Sequence, residues 1–283
     1  MSLKKYTKPF EVNGTVFDFH NETIVMGILN VTPDSFSDGG KFDAVESAIA
    51  HATQMVSEGA KIIDIGGEST RPGHAAVSVE EELNRVIPVI KALSTELNVA
   101  ISIDTYKAQV AEQAILAGAH IINDIWGAKK EPEIAEVAAR LNVPILLMHN
   151  REEANYTDFW NEVRADLEES IKIAKDAGVP DTNIWLDPGI GFGKTTEHNI
   201  KMMQHLTDLV GMGYPVLLAT SRKSMIGNVL KLPVSERLEG TAATVSYGVM
   251  SGCHMMRVHD VKEIVRTVDM MDVLIGKRYF IES

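Results

Sequence analysis

The feature that most constrains the fold of this chain is a repeated alternation of short apolar runs with amphipathic segments. Eight such runs follow one another between Thr23 and Asp260, and each is continuously hydrophobic. Continuous hydrophobicity is typical of strands that are buried on both faces of a parallel sheet. Parallel neighbours need a long crossover connection, usually a helix. The sequence therefore predicts an α/β fold of eight strand-helix units.

Eight consecutive units in 283 residues fit a (β/α)8 TIM barrel, and we expect one domain over residues 1–283. An open doubly wound sheet is the alternative, because counting units does not prove closure. Before the first unit, "FEVNGTVFDF" contains Asn13-Gly14, a pair that predicts a short β-hairpin. Asp43 with Glu46, and Ser78 with Glu81, have capping-box spacing and predict two helix starts.

Composition excludes several kinds of partner. A net charge of −12 argues against nucleic acid, although a few local cations can still bind a small anion. No apolar run reaches the roughly 18 residues that would cross a bilayer, so we expect no membrane partner. The N-terminal stretch lacks the apolar core of a secretory signal, and the single cysteine, Cys253, suits a reducing compartment. We therefore expect a cytoplasmic protein.

Nearly every apolar run ends in a side chain capable of chemistry. In a TIM barrel the carboxyl ends of the strands meet on one face, where active sites lie. We therefore expect these polar side chains to converge there, although an acidic residue such as Asp104 could instead help to cap the following helix. The residues are Asn30, Asp64, Asp104, Asn123, His149, Asp187, Lys223 and Arg257.

Cations after the seventh and eighth runs indicate an anion site. "SRKS" contains Lys223, and "RVHDV" contains Arg257 and His259. The loops after strands seven and eight are the usual phosphate site of such barrels, although surface cations are often merely solvated. The glycine-rich "GIGFGK", which ends at Lys194, matches neither a P-loop nor a dinucleotide fingerprint, and a plain loop explains it equally well.

Two long polar loops, "NVTPDSFSDGG" and "GGESTRPG", follow neighbouring strands and are interpreted as movable lids. Taken together with "ISIDTYKAQV", "LLMH", "LDPGIGFGKT", "TSRKSMIG" and "RVHDV", these strings resemble the dihydropteroate synthase family, in that family's order and over nearly the whole chain. Two departures are Ala219 and the sequence "NREEANY" after His149.

The resemblance implies a folate-pathway enzyme that condenses 7,8-dihydropterin-6-ylmethyl diphosphate with 4-aminobenzoate. It implies Asp104, Lys223 and Arg71 as catalytic residues, and Mg²⁺ as a cofactor bound through Asn30. The implied pterin ligands are Asp104, Asn123, Asp187, Lys223 and Met148. The implied diphosphate ligands are Asn30, Thr70, Arg257 and His259. The implied 4-aminobenzoate contacts are Phe36, Thr70, Arg71, Pro72, Phe192 and Ser221.

The implied mechanism is dissociative, with Asp104 opposite a pterin-methylene cation. The resemblance also implies a homodimer formed by helices near the end of the barrel, where Met270 and Met271 lie. Three alternatives stay open. They are a methyltetrahydrofolate:corrinoid methyltransferase-like pterin barrel, an aldolase-like enzyme with Lys223 as a Schiff-base lysine, and a non-catalytic pterin-binding paralogue.

Overall fold

The computed structural model describes residues 9–31, 41–68 and 77–279. Its first element is an antiparallel hairpin of β1 (Phe10–Val12) and β2 (Thr15–Phe17). The turn residues Asn13 and Gly14 have φ values of 48° and 70°. A two-residue hairpin turn with positive φ at both positions is what Asn-Gly favours. The predicted hairpin is confirmed.

Eight parallel strands follow and form one sheet. They are β3 (Ile24–Asn30), β4 (Ile62–Gly66), β5 (Ala100–Asp104), β6 (Ile121–Asp124), β7 (Ile145–Met148), β8 (Ile184–Asp187), β9 (Leu217–Leu218) and β10 (Met255–Val258). Their order is β8-β7-β6-β5-β4-β3-β10-β9. A parallel bridge between Leu186 and Val216 joins the two ends of this order. The sheet is therefore a closed (β/α)8 barrel, as predicted, and not an open sheet.

Helices connect the strands and surround the barrel. They are α1 (Lys41–Ser57), α2 (Val79–Glu96), α3 (Ala108–Leu116), α4 (Glu133–Leu141), α5 (Phe159–Asp176), α6 (Thr196–Gln204), α7 (Leu206–Val210), α8 (Ser224–Leu230), α9 (Leu238–Met250) and α10 (Val261–Leu274). Within the described ranges, no helix is both long enough and apolar enough to cross a membrane.

One of the two predicted helix starts is correct. Ser78 caps α2, because its Oγ accepts the backbone N–H of Glu81 at 3.2 Å. The other prediction is wrong, since α1 begins at Lys41 and already contains Asp43. An acidic residue is favoured both as a cap and within the first turn of a helix, so its presence does not fix the first residue.

Successive residues of each strand face opposite sides of the barrel wall. In β4, for example, Ile63 and Ile65 pack outward against the helices, whereas Ile62 packs inward. Both faces are therefore apolar over the lower part of the barrel, which explains the continuous hydrophobic runs. Burying each such side chain contributes about 1.5–3 kcal/mol of transfer free energy.

The lower half of the barrel interior is filled by apolar side chains. The large ring of Trp185 lies there, and Phe17 and Phe19 from the hairpin segment pack against it at centroid distances of 6.2 and 5.8 Å. The inward-facing strand residues of this layer are Ile24, Met26, Ile62, Ala100, Ile121, Leu146, Leu217 and Met255. The hairpin thus seals the amino-terminal end, and the carboxyl end is left for the polar residues.

Candidate active site

Above the apolar layer, the inward positions of the strands change from hydrophobic to polar. The alternation that points Ile62 inward also points Asp64 inward, and the same holds along the other strands. The residues on this upper inner surface are Asn30, Asp64, Ser102, Asp104, Asn123, Met148, Asp187, Ala219 and Arg257. The predicted convergence on the carboxyl face is confirmed for most of the strand-end residues.

Arg257 is the centre of a buried ionic cluster. Its Nε donates to Oδ2 of Asp64 at 2.6 Å, and its Nη2 donates to Oδ2 of Asp104 at 2.6 Å. Asn123 adds a hydrogen bond from Nδ2 to the same oxygen of Asp64 at 3.2 Å. Burial alone would lower the pKa of Arg257, but the two carboxylates raise it. One guanidinium thus joins β10, β4 and β5 and, through Asp64, orients Asn123.

Each of the two carboxylates keeps one oxygen without a partner. Oδ1 of Asp64 and Oδ1 of Asp104 are buried and have no hydrogen-bond partner among the described residues. A buried polar atom left in this way is costly, so it marks a place where a ligand donor is expected. Burial raises the pKa of Asp104 to about 7, although the Arg257 guanidinium acts in the opposite direction. Asp104 is therefore a hydrogen-bond acceptor whose charge depends on pH near neutrality.

Asp187 and Lys223 form the opposite side of the upper layer. Oδ1 of Asp187 accepts the backbone N–H of Gly189 at 2.6 Å. Burial raises the pKa of Asp187 to about 6, and the charge of Lys223 partly offsets this effect. The Lys223 ammonium lies 4.3 Å from the ring centroid of Phe192, within the range of a cation–π contact. The structure therefore groups three predicted site residues: a carboxylate, a cation and an aromatic ring.

Ser221 and His259 bind each other at the edge of the site. The backbone N–H of His259 donates to Oγ of Ser221 at 3.1 Å, and the same oxygen lies 3.0 Å from His259 Nδ1. Burial lowers the pKa of His259 to about 4, so its ring is neutral at pH 7. His259 can thus donate a hydrogen bond to an anion, but it supplies no positive charge to the ligand-free site. The predicted contact of Ser221 with 4-aminobenzoate stays a prediction.

The neighbouring cation in "SRKS", Arg222, does not join the site. Its Nε donates to Oδ2 of Asp260 at 3.0 Å, which ties the start of α8 to the start of α10. Lys223 therefore provides the positive charge of that segment, beside Arg257 from β10. The two cations lie among the carboxylates of Asp64, Asp104 and Asp187, and the predicted anion site stays a prediction.

Asn30 ends β3 at the open mouth of the barrel. A Cβ atom placed on Gly66 of the adjacent strand would lie 3.7 Å from Asn30 Oδ1 and 3.8 Å from Asp104 Oδ2. Glycine at this position leaves open the space between the two side chains. Among the described residues, no group of three or more His, Cys, Asp or Glu could hold a metal ion. Any metal here would need most of its ligands from substrate and water.

His149 is the strand-end residue that the prediction placed wrongly. Its Nε2 lies 3.0 Å from Asp166 Oδ2 and its Nδ1 lies 2.6 Å from Lys194 Nζ, outside the upper layer. The reason is the period of two: Met148 faces inward, so the next residue faces away from the barrel axis. Burial lowers the pKa of His149 to about 4, so the ring is neutral.

Two functional candidates gained their importance only from the structure. Asp64 was expected at the barrel mouth but without a role, and it proves to hold both Arg257 and Asn123. The sequence assigns no role to Lys194 in its glycine-rich loop, whereas in the structure its Nζ contacts the carbonyl oxygens of that loop. Register along β4 could have indicated Asp64, because it lies two residues from the inward Ile62.

Four residues predicted to contact diphosphate or 4-aminobenzoate lie outside the described residues. They are Phe36 in the first long loop and Thr70, Arg71 and Pro72 in the second. Their roles therefore stay predictions from the resemblance. The described ends of both loops, Val31 and Glu68, adjoin the carboxyl ends of β3 and β4.

A closed parallel barrel whose carboxyl face gathers buried acids, an amide and two cations is typical of a TIM-barrel enzyme with its active site at that face. The chain belongs to the family described as pterin binding enzyme, whose model matches residues 26–259. It is 58% identical to the dihydropteroate synthase of Bacillus subtilis over 272 residues. This aligned region covers 96% of this chain and 94% of the relative.

Solved structures agree with this relationship. A dihydropteroate synthase from Clostridium difficile, determined in the presence of pteroic acid, superposes with a TM-score of 0.89 at 50% identity, covering 91% of this chain and 98% of the other. A dihydropteroate synthase from Xanthomonas albilineans with 4-aminobenzoic acid gives a TM-score of 0.89 at 41% identity, covering 95% and 98%. The fold and the family are thus supported by both comparisons.

Proposed function

We propose that this protein catalyses the dihydropteroate synthase reaction of folate biosynthesis, a transferase reaction. It joins 7,8-dihydropterin-6-ylmethyl diphosphate to 4-aminobenzoate and releases diphosphate. The observation that carries the proposal is the upper layer of the barrel, where Asp104 and Asp64 each have a buried oxygen with no partner among the described residues, beside Arg257. Relatives at 58% and 55% identity that carry this enzyme's name support the same reaction.

The pterin ring is flat and carries hydrogen-bond donors and acceptors along one edge. In the proposal, Asp104 and Asp187 accept from its N–H groups, while Asn123 and Lys223 donate to its acceptors. The buried Met148 side chain lies in the same layer and is suited to packing on a ring. A donor from the pterin would satisfy the open oxygen of Asp104, which removes the cost of leaving it unpaired.

The chemistry begins when the bond between the pterin methylene carbon and the diphosphate oxygen breaks. The electron pair leaves with diphosphate, and positive charge develops on the methylene group. An ionised Asp104 stabilises this charge without forming a bond. The aniline nitrogen of 4-aminobenzoate then attacks the methylene carbon and loses a proton to solvent. Arg257 and Lys223 counter the charge of the departing diphosphate, and neutral His259 donates a hydrogen bond to it.

Magnesium is part of the proposal. Asn30 provides one neutral oxygen at the barrel mouth, beside the space left by Gly66. Mg²⁺ binds few protein ligands and takes the rest from phosphate and water, so a single amide oxygen fits its needs. When bound with the substrate, the ion would neutralise phosphate charge and improve the leaving group.

The 4-aminobenzoate site would lie beside the cation–π pair of Lys223 and Phe192. The phenyl ring of Phe192 is suited to the edge of the aromatic ring of 4-aminobenzoate. Thr70, Arg71, Pro72 and Phe36 would complete the site by similarity. This arrangement implies ordered binding, with the pterin substrate helping to form the site for its partner.

We also propose a cytoplasmic homodimer. Helices α9 and α10 pack side by side. They expose apolar side chains, including Met250 at 69% and Leu274 at 65% of their surface. An apolar patch shared by two adjacent helices is typical of an interface. Light scattering should give a molar mass twice that of one chain. The Met250→Glu substitution should reduce the measured mass towards that of the monomer.

The decisive experiment is a dihydropteroate assay with purified protein, both substrates and Mg²⁺, repeated without the metal. Product formation that needs all three components supports the proposal. Pterin binding without turnover would favour the non-catalytic paralogue, and methyl transfer from methyltetrahydrofolate to a corrinoid would favour the second pterin barrel. Borohydride reduction with a carbonyl substrate that labels Lys223 would indicate the aldolase-like enzyme.

A further inference from the structure

The loop between β8 and α6, residues 188–195, is organised around the side chain of Lys194. Its Nζ lies 3.0 Å from the carbonyl oxygen of Gly189 and 3.1 Å from that of Phe192. A third acceptor, Nδ1 of His149, lies at 2.6 Å. Burial lowers the pKa of Lys194 to about 7, and the protonated form has three N–H donors, all of which these three acceptors can use.

The same contact joins the loop to the segment that follows β7. His149 accepts from Lys194 through Nδ1, so its Nε2 carries the proton and donates to Asp166 Oδ2 at 3.0 Å. Asp166 also accepts from Arg151 Nε at 2.6 Å. Through His149, Lys194 therefore links the loop to the ion pair between Asp166 of α5 and Arg151 of the segment after β7.

Lys194 binds the carbonyl groups of Gly189 and Phe192. These two residues also contact side chains that face the substrate site. Gly189 donates its backbone N–H to Asp187 at 2.6 Å. Phe192 places its ring 4.3 Å from the ammonium of Lys223. A change in the position of either carbonyl must therefore move a hydrogen bond or a ring in the active site.

Steric contacts on the other side leave the loop little freedom. Gly189 has a φ of +66°, and a Cβ there would lie 1.8 Å from the carbonyl oxygen of His149. At Gly193, with a φ of +52°, a Cβ would lie 2.4 Å from the carbonyl oxygen of Arg151. The loop is thus seated directly on the backbone after β7, with Lys194 bound at that junction.

Other hydrogen bonds should keep the loop folded when the ammonium is removed. Tyr156 donates its hydroxyl to the carbonyl of Gly193 at 2.7 Å, and Asn199 accepts the N–H of Gly191 at 2.7 Å. Neither bond involves the carbonyl of Gly189 or of Phe192. Removing the ammonium should therefore free the carbonyl of Phe192 and leave the carbonyl of Gly189 with only the backbone N–H of Phe192 at 3.1 Å, without unfolding the segment.

We propose that Lys194 is a positioning residue, which fixes Gly189 against Asp187 and Phe192 beneath Lys223 and so sets the geometry of both substrate sites. It touches neither substrate. This inference rests on the proposed function, but the wild-type assay tests that function separately.

The test replaces the lysine and then returns its ammonium. In the full-length protein, Lys194→Ala should lower kcat/KM for the pterin diphosphate and for 4-aminobenzoate by about tenfold to a hundredfold, as small misplacements of site groups do. Propylammonium, which matches the deleted atoms, should restore activity in a saturable manner at constant ionic strength. Methylammonium should restore less, and neutral propanol none.

The control is Lys201→Ala, because Lys201 lies on α6 and pairs with Glu197 at the surface. It should have wild-type kinetics and no response to alkylammonium ions. Wild-type constants for folded Lys194→Ala would overturn the proposal, and so would a lower melting temperature with unchanged kinetics per folded molecule. If the alanine variant does not fold, Lys194→Met, which fills the same space, decides by the same kinetic comparison.

Discussion

The Nε atom of Arg257 donates to Oδ2 of Asp64 at 2.6 Å, across 193 residues of sequence. This pair joins the last strand of the barrel to the second, and it holds the guanidinium in contact with Asp104. The conformation of Arg257 at the site therefore depends on Asp64. Removing one partner of a buried ion pair leaves the other poorly compensated.

Asp64→Ala should impair use of the pterin substrate. It deletes the acceptor for both Arg257 Nε and Asn123 Nδ2. We expect kcat/KM for the pterin diphosphate to fall by about tenfold to a hundredfold, in line with the loss of hydrogen bonds to a charged group. Steady-state kinetics measure this decrease in kcat/KM. The control is Glu112→Ala, which removes the partner of Arg140. Equal values of kcat/KM for the two variants would contradict the role of Asp64.

The charge of Asp104 should appear in the pH dependence of the reaction. Its pKa of about 7 means that the carboxylate loses its charge as the pH falls below 7. We expect kcat/KM of the wild type to decline below pH 7, since the pH dependence of this ratio reports the pKa values of the free enzyme. Asp104→Asn should be slower by about a hundredfold at pH 8. Its acid limb should move towards pH 6, where Asp187 titrates.

Asp104→Asn should lower activity but raise the stability of the folded protein. The pKa of folded Asp104 lies above the ordinary value of 3.8, so its ionisation costs stability as the pH rises from about 4 to about 7, and the full cost remains above that. Asp104→Asn should therefore raise the melting temperature more at pH 8 than at pH 5. A gain that is independent of pH would contradict the raised pKa.

Gly66→Ala should fold normally but react poorly. Its Cβ would meet Asn30 and Asp104 at ordinary contact distances of 3.7–3.8 Å, so no strain is expected. Stability should change by no more than about 1 kcal/mol, since alanine in a strand loses less backbone entropy than glycine. The methyl group would occupy the space between the two side chains, and KM for the pterin diphosphate should rise. An unchanged KM would place the substrate elsewhere.

Lys107→Met should destabilise the protein in a pH-dependent manner. The Lys107 ammonium lies 2.5 Å from Glu68 Oε2 and 2.5 Å from the buried Glu82 Oε2. Without it the free energy of unfolding should fall by about 3–5 kcal/mol near pH 8, as for other broken buried pairs. Burial already raises the pKa of Glu82, so protonation should reduce the deficit as the pH falls towards 5.

Chemical denaturation at the two pH values measures this effect. Lys172→Met is the matched control, because Lys172 pairs with Asp176 on the exposed surface of α5. An exposed pair of this type contributes about 0–1 kcal/mol. An equal decrease in the free energy of unfolding for the two lysine variants would contradict the prediction that the buried ion pair contributes more stability than the exposed one.

Arg71→Ala tests whether Arg71 contacts 4-aminobenzoate and not the pterin substrate, as the resemblance implies. We expect KM for 4-aminobenzoate to rise more than KM for the pterin diphosphate, because the arginine is assigned to the benzoate side. Initial rates with each substrate varied in turn provide the measurement. Equal losses for both substrates would contradict the assignment.

Predicting this protein from its sequence succeeded where local patterns carry the information. Hydrophobic runs on both faces identified the strands, and Asn13-Gly14 identified the hairpin. The gathering of Asp64, Asp104, Asp187 and Arg257 was predicted because strand-end residues of a barrel share one face. The prediction for His149 failed because a shift of one residue reverses the direction of a side chain.

The sequence by itself determined the eight parallel strands, the face of the barrel where the polar strand-end side chains gather and the family of the chain. Only the tertiary structure decided the pairing of Arg257 with Asp64 and the binding of Lys194 to its own loop. Hydrophobic periodicity is a property of neighbouring residues and can be read locally. Hydrogen bonds between distant strands depend on closure and register, which arise only when all eight strands have assembled.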